Sequence, residues 1–273
     1  MIHDHELPAA LPAIPADHWP AAQEVIYRSL VLPAAWSQFH RIWARIEGPL
    51  PHPSEAPLIV YLTHTSWWDA YMLFLISYRL LRSQFQNYIM MEEKQLRAYR
   101  FFRWCGAFSI NRGPQAAERS VRYISRELQA QPGRCLWIFP QGRIGPGDQR
   151  PLRIYPGIAR IARGAGGALL WPVALRYEFR GEQKPEAFIR SGTPHYIGAD
   201  APEAAVVAEV QARLTRAADA LRDDLLLEDL AAYRPILAGP PGINRLWDAL
   251  RDRIPGRSAS GSAPQPRQRS SGR

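Results

Sequence analysis

Short apolar, partly β-branched runs alternate along the middle of this chain with stretches of helical length, and that alternation constrains the fold most. The run LIVYLTH (58–64) is followed by TSWWDAYMLFLISYRLL, which is long enough for a helix and apolar around most of its circumference. NYIM, FSIN, CLWIFP and ALLWPVALRY supply further strand candidates, with helical stretches at 92–104, 115–130 and 155–163 between them. Strands buried on both faces read as near-continuous apolar runs, and parallel neighbours need crossover helices. The pattern therefore predicts an α/β fold: a largely parallel mixed sheet flanked by helices.

The flanks read differently. Residues 1–18 form an irregular leader. Residues 19–57 hold an N-terminal helical extension, broken or kinked near Pro33, and then the proline-rich linker GPLPHPSEAP. The apolar faces of this extension have two uses, packing over the core or lying in a membrane interface. The main domain is expected over 58–230, with its motif-bearing part at 58–180. In it, Val206, Val207, Val210, Leu214, Ala217 and Leu221 recur at helical spacing. A helical segment (231–254) and a disordered basic tail (255–273) complete the chain, the tail being rich in Ser, Gly, Pro and Arg.

The net charge of +9 favours an anionic partner, although four tail arginines supply nearly half of it. No zinc-finger spacing or other nucleic-acid module is present, so a nucleic acid is not the expected partner. No stretch reaches the roughly 18 nearly uncharged apolar residues that span a bilayer; the longest candidate, 70–81, is shorter and contains Arg79. Trp19, Trp36, Trp43, Trp67 and Trp68 suit an interface instead, so membrane contact is expected to be peripheral and monotopic. The leader carries acidic residues and prolines where a secretory signal needs a basic and then an apolar segment, which points to the cytoplasmic face. Cys105 and Cys135 provide neither a disulfide framework nor a metal set. They read as inert core thiols, and no metal or resident cofactor is expected.

The chemistry concentrates at THTSWWD, Thr63 to Asp69, directly after the first buried run. Histidine is the side chain best matched to taking a proton near neutral pH, and a nearby carboxylate can fix its tautomer and stabilise its charged form. Five residues is an awkward offset on one helix face. It suits a His64 in the strand-to-helix turn and an Asp69 in the first helical turn, folding back. The competing reading makes Asp69 or Ser66 a helix cap and His64 a satisfied core histidine. GAFSINRG (106–113) ends in an Arg-Gly turn apt for presenting a guanidinium, and FPQGRIGPG (139–147) is a glycine-rich loop whose amides could cradle oxygens. Neither is a nucleotide phosphate loop, and no dinucleotide fingerprint is present.

In their order these blocks resemble the lysophospholipid and 1-acylglycerol-3-phosphate acyltransferase family over about residues 58–180. Its N-H-x-x-x-x-D block corresponds to THTSWWD, its G-x-x-F-I-D-R block to GAFSINR, its F-P-E-G-T-R-S block to FPQGRIG, and its V-P-V strand to Trp171, Pro172 and Val173. A basic-aromatic-x-G stretch of the family looks like RIYPG, Arg153 to Gly157. The resemblance implies an O-acyltransferase that moves a fatty acyl group from acyl-coenzyme A or acyl-carrier protein to a lipid hydroxyl, without a covalent enzyme intermediate. His64 and Asp69 would be catalytic. Arg112, Gln141, Gly142 and Arg143 would meet substrate, with amides near Gly142 as candidate oxyanion donors.

The third block departs from the family pattern, with Gln141 for its glutamate, Arg143 for its threonine and Ile144 for its arginine. Isoleucine cannot replace a bidentate phosphate donor. An unphosphorylated lipid alcohol or glycolipid is thus as much expected as lysophosphatidate, with a slight tilt toward the unphosphorylated acceptor. The alternatives outside acyl transfer are a non-catalytic lipid-binding protein and an ester or thioester hydrolase. The Gly-x-Ser-x-Gly elbow of many hydrolases is absent.

Overall fold

LIVYL is buried along its whole length, and the other elements are arranged around it. The computed structural model describes residues 11–111 and 113–242. By its internal contacts the chain divides into a unit of Met1–Pro240 and a second of Pro241–Arg273; only Pro241 and Gly242 of the latter are described. The expected tail and the second half of the expected 231–254 segment, 243–254, lie outside the described residues.

In chain order the first unit contains α1 (Pro20–Ile26), α2 (Leu32–Gln38), β1 (Arg41–Arg45), β2 (Leu58–Leu62), α3 (Asp69–Leu75), β3 (Gln86–Glu92), α4 (Glu93–Ala98), β4 (Ala107–Ile110), α5 (Pro114–Ala130), β5 (Arg134–Ile138), α6 (Gly157–Gly164), β6 (Gly167–Glu178), β7 (Glu186–Ser191), β8 (His195–Gly198), α7 (Glu203–Leu226) and β9 (Arg234–Ala238). One sheet runs β4-β3-β5-β2-β6-β7-β1-β9, with β8 also paired to β6. β4, β3, β5, β2 and β6 are mutually parallel, whereas β7 and β8 return antiparallel along β6. Pro172 sits between the β8 and β7 pairings of β6, at a gap in the ladder on that side. The fold is thus the expected mixed sheet flanked by helices, with an N-terminal helical extension.

The period-two geometry of β2 divides the core. Leu58, Val60 and Leu62 pack with Ile26, Val31, Ala35, Met72 and Leu75 on one face; Ile59 and Tyr61 pack with Ile124, Leu128, Ile158, Val210 and Leu214 on the other. The helical extension therefore covers one face of the sheet and α5, α6 and α7 the other. The extension runs from Pro20 to Gln38 without the expected break at Pro33. A π-helical turn at Tyr27–Val31 precedes that proline, and its wider hydrogen-bond ring helps accommodate a residue with no N–H to give. Tyr27 of this turn stacks on Tyr78 of a second π turn, Ile76–Leu80, at 3.6 Å between ring centroids. The two turns thereby lock the extension to the helical run that follows the His64 loop.

Several elements differ from expectation. Residues 41–45 form a strand, not the end of a helix: RIWAR alternates in burial and pairs with β7 and β9. Residues 234–238 are an exposed edge strand inside the segment expected to be helical. The 92–104 helix divides into α4 and a 3₁₀ turn, Arg100–Cys105, closed by Gly106 at φ +85°. Gly106 is needed there, because a Cβ would lie 1.8 Å from the Asn87 carbonyl oxygen. Leader residues 11–18 are irregular but docked, with Ile14 buried and its N–H donated to Ser109 Oγ. Trp43 and Trp68 are partly buried, so only Trp19, Trp36 and Trp67 of the five expected interface tryptophans are exposed. Cys105 and Cys135 are buried free thiols; burial pushes Cys105 up to about 12 and Cys135 well up, which makes both inert.

Candidate active site

Parallel strands deliver their following loops to one edge of a sheet, the usual ligand edge of open α/β folds. Here β2 delivers His64, β5 delivers the 139–147 loop, and β6 delivers Arg176, Tyr177 and Glu178. β4 ends at Ile110 at the same edge; the expected substrate residue Arg112 lies outside the described residues.

After Leu62 the chain curls through residues 63–68 and enters α3 at Asp69, so the carboxylate stands at a helix N-terminus. His64 Nδ1 lies 2.8 Å from Asp69 Oδ2. That oxygen also accepts the N–H groups of Thr65 (2.7 Å) and Ser66 (3.0 Å), while Oδ1 accepts the Tyr177 hydroxyl at 2.6 Å. Asp69 is wholly buried, yet four donors solvate its charge. An ionised carboxylate only accepts, so Nδ1 carries the imidazole proton and Nε2 presents its lone pair. The His64 side chain is 22% exposed, and no hydrogen bond to Nε2 forms among the described residues. The ring stacks on Phe139 with centroids 4.2 Å apart. The helix-cap and catalytic-dyad readings of Asp69 thus describe the same geometry.

The 139–147 loop grips His64 by its backbone. Gln141 Oε1 accepts the His64 N–H at 2.8 Å, and the Gly145 N–H reaches the His64 carbonyl at 3.0 Å. Gln141 Oε1 is therefore engaged with the His64 backbone. The Gly142 N–H is committed to the Phe139 carbonyl at 3.0 Å, which removes it as a ready oxyanion donor. Its φ of +67° and a Tyr155 ring that a Cβ would approach to 2.8 Å explain the glycine. Ile144 is 51% exposed and contributes no polar group. Arg143 lines a small recess of about 20 Å³ with Gln141, Gly145, Gln149 and Arg153. Neither guanidinium is paired with a carboxylate among the described residues; Arg153 lies 4.9 Å over the Tyr155 ring. Arg153 thus joins Arg143, a juxtaposition that the RIYPG resemblance alone did not locate.

A larger cavity of about 300 Å³ adjoins the His64 loop, lined by Thr65, Ser66, Asp148, Arg176, Tyr177 and Glu178 among others. Its one guanidinium, Arg176, is held by Asp148 at 2.6 Å and Glu178 at 2.5 Å. Tyr177 was not singled out in the sequence; its only signal there is its place near the end of a strand parallel to the one that carries His64. Among the described residues no cluster of His, Cys, Asp and Glu is arranged to hold a metal ion.

Residues 44–176, from β1 to the end of β6, match the family model described as "Acyltransferase". Among solved structures the chain is similar to the 1-acyl-sn-glycerophosphate (LPA) acyltransferase PlsC from Thermotoga maritima. The TM-score is 0.52 and the identity 15%, over 74% of this chain and 78% of that one, a likeness of fold. No curated protein matches the chain significantly. At low identity, then, the chain is related to the acyltransferase superfamily, an enzyme family of acyl-transfer chemistry.

Proposed function

We propose that the protein is an O-acyltransferase that moves a fatty acyl group from an acyl-coenzyme A or acyl-carrier-protein thioester to the hydroxyl of a lipid acceptor. The observation that carries this reading is the buried Asp69 bonded to His64 Nδ1, with Nε2 left without a hydrogen-bond partner among the described residues at the ligand edge of the sheet. His64 Nε2 takes the acceptor hydroxyl proton as its oxygen adds to the thioester carbonyl. The tetrahedral intermediate then expels the thiolate, which receives that proton from the imidazolium. Asp69 offsets the imidazolium charge in between. General-base catalysis of this kind is commonly worth roughly 10²- to 10⁴-fold.

Arg143 and Arg153 of the small recess, which have no carboxylate partner among the described residues, support an acceptor with an anionic headgroup, such as a lysophospholipid. This weighs against the tilt toward an unphosphorylated acceptor that Ile144 suggested. The exposed Trp19, Val25, Leu30 and Trp36 of the helical extension support a peripheral membrane contact, and no described helix is long and apolar enough to cross a bilayer. Purified parent and His64→Ala protein, assayed with labelled acyl thioesters and an acceptor panel in vesicles, test the proposal. Loss of at least 10²-fold in acylated lipid, with an unchanged melting temperature, is the expected result. Near-parental transfer by the variant refutes it, and thioester cleavage to free fatty acid independent of any acceptor assigns a hydrolase instead.

A further inference from the structure

Three of the four donors on Asp69 come from its own loop: the His64 ring and the amides of Thr65 and Ser66. All three converge on Oδ2. The fourth, Tyr177, is 108 residues away on β6 and is the one partner of Oδ1 among the described residues. A carboxylate held through one oxygen can still turn about its Cβ–Cγ bond, and a donor on the second oxygen removes that freedom. Burial, with the adjacent Asp69 charge and hydrogen bond, raises the Tyr177 phenol well above its ordinary range, so it stays a donor at any working pH. Among the described residues the charged side chains lining its cavity are paired with one another. Arg176 and Glu178, its neighbours on β6, pair with each other, and Asp148 of the facing loop pairs with Arg176. α7 contributes uncharged Ala218 and Leu221 to the same cavity, and the Phe39 ring lies 5.9 Å from the Tyr177 ring.

We infer that Tyr177 is a positioning residue of the His64–Asp69 dyad: its hydroxyl fixes the rotation of the Asp69 carboxylate and draws off part of its charge. The inference rests on the dyad reading above. With the hydroxyl in place, Oδ2 stays aimed at His64 Nδ1, and the carboxylate remains a moderate partner for the imidazolium. Without it, more negative charge faces His64, the protonated dyad is favoured, and the aim of the carboxylate loosens.

The test is Tyr177→Phe, assayed beside His64→Ala so that the two readings fail separately. The expected outcome for Tyr177→Phe is a fall in kcat of about tenfold, in keeping with loss of one charge-assisted hydrogen bond, with acceptor KM within about twofold of the parent. The acid limb of its kcat/KM profile should move to higher pH by about half a unit to one unit. In an Asp69→Asn background the same substitution should cost almost nothing, since the contact it removes is no longer charged. Site-specific 3,5-difluorotyrosine at position 177 keeps the shape with a stronger donor, and should move the limb to lower pH; it also serves if Tyr177→Phe does not fold. An unmoved or oppositely moved limb with kcat preserved overturns the inference. A defect confined to acceptor KM does so too, because it makes Tyr177 a substrate contact of the 300 Å³ cavity. An active His64→Ala enzyme overturns the dyad reading itself.

Discussion

His195 provides a test of how the sheet tolerates acid. It opens β8 with 7% of its side chain exposed, and neither ring nitrogen has a hydrogen-bond partner among the described residues. Its ring stands edge-on to Tyr61, with Glu209 Oε1 3.9 Å from Nε2 and Arg213 bonded to that same carboxylate oxygen at 2.8 Å. Burial first, and Arg213 second, outweigh Glu209 and lower the His195 pKa to about 4. In the unfolded chain a histidine titrates near 6.5. Between these values the unfolded chain binds a proton that the native protein refuses, so stability falls as pH falls through that window and levels off below about 4. At about 1.4 kcal/mol per pH unit the loss reaches about 2.5 kcal/mol by pH 4.5. His195→Leu removes the titration and two orphaned nitrogens, and is expected to match the parent within about 1 kcal/mol at pH 7.5. Urea unfolding of both proteins, followed by tryptophan fluorescence from pH 7.5 to 4.5, measures the difference; carboxylate titrations common to both cancel. The two stability curves should separate steadily below pH 6.5. Curves that stay parallel to pH 4.5 refute the reasoning.

Asp69→Asn should lower kcat by roughly 10²- to 10⁴-fold while acceptor KM changes little, because the amide preserves shape but cannot support an imidazolium; steady-state acyl transfer checks this. For an anionic acceptor, Arg143→Ala and Arg153→Ala should each reduce kcat/KM by about 10-fold or more relative to a matched neutral acceptor, and equal losses on both acceptors would remove the recess from headgroup recognition. The protein should bind anionic vesicles peripherally, and Trp19→Ser with Trp36→Ser should weaken binding at least severalfold in a sedimentation assay. Binding unaffected by the pair would place the contact elsewhere.

The strands that were legible in the sequence are those buried on both faces. LIVYL, CLWIFP and ALLWPVALRY carry their apolar signal without any need to know their partners. The missed strands are the ones whose stability is borrowed. RIWAR offers two wholly buried or nearly buried positions, Ile42 and Ala44, between half-exposed ones, and RPILA has none buried. Each is a strand because of what it pairs with, and pairing across nearly 200 residues leaves no local trace. Likewise Pro33 reads as a helix breaker until a π turn is seen before it, a feature that propensity does not encode. At the site, His64 and Asp69 were legible because one short loop contains both. Tyr177 was not, since it reaches His64 and Asp69 only through sheet order; Arg153 was marked by RIYPG, but its place beside Arg143 depends on a loop contact.

The altered third block makes physical sense once its roles are separated. What the loop does for His64 requires an acceptor at position 141, to hold the His64 N–H, and an amide at Gly145, to hold its carbonyl. A glutamine supplies that acceptor as well as a glutamate, and it does so without a negative charge beside an imidazole whose counter-charge already sits on Asp69. The turn requires glycine at 142 and nothing of the side chain at 144, which points outward. Binding an anion is a separate requirement, and on the proposed reading it falls to the guanidiniums at 143 and 153, which line one recess. The substitutions at 141 and 144 therefore leave the hydrogen bonds that hold the His64 loop intact. On the proposed reading they bear on headgroup recognition, through Arg143 and Arg153, more than on acyl transfer.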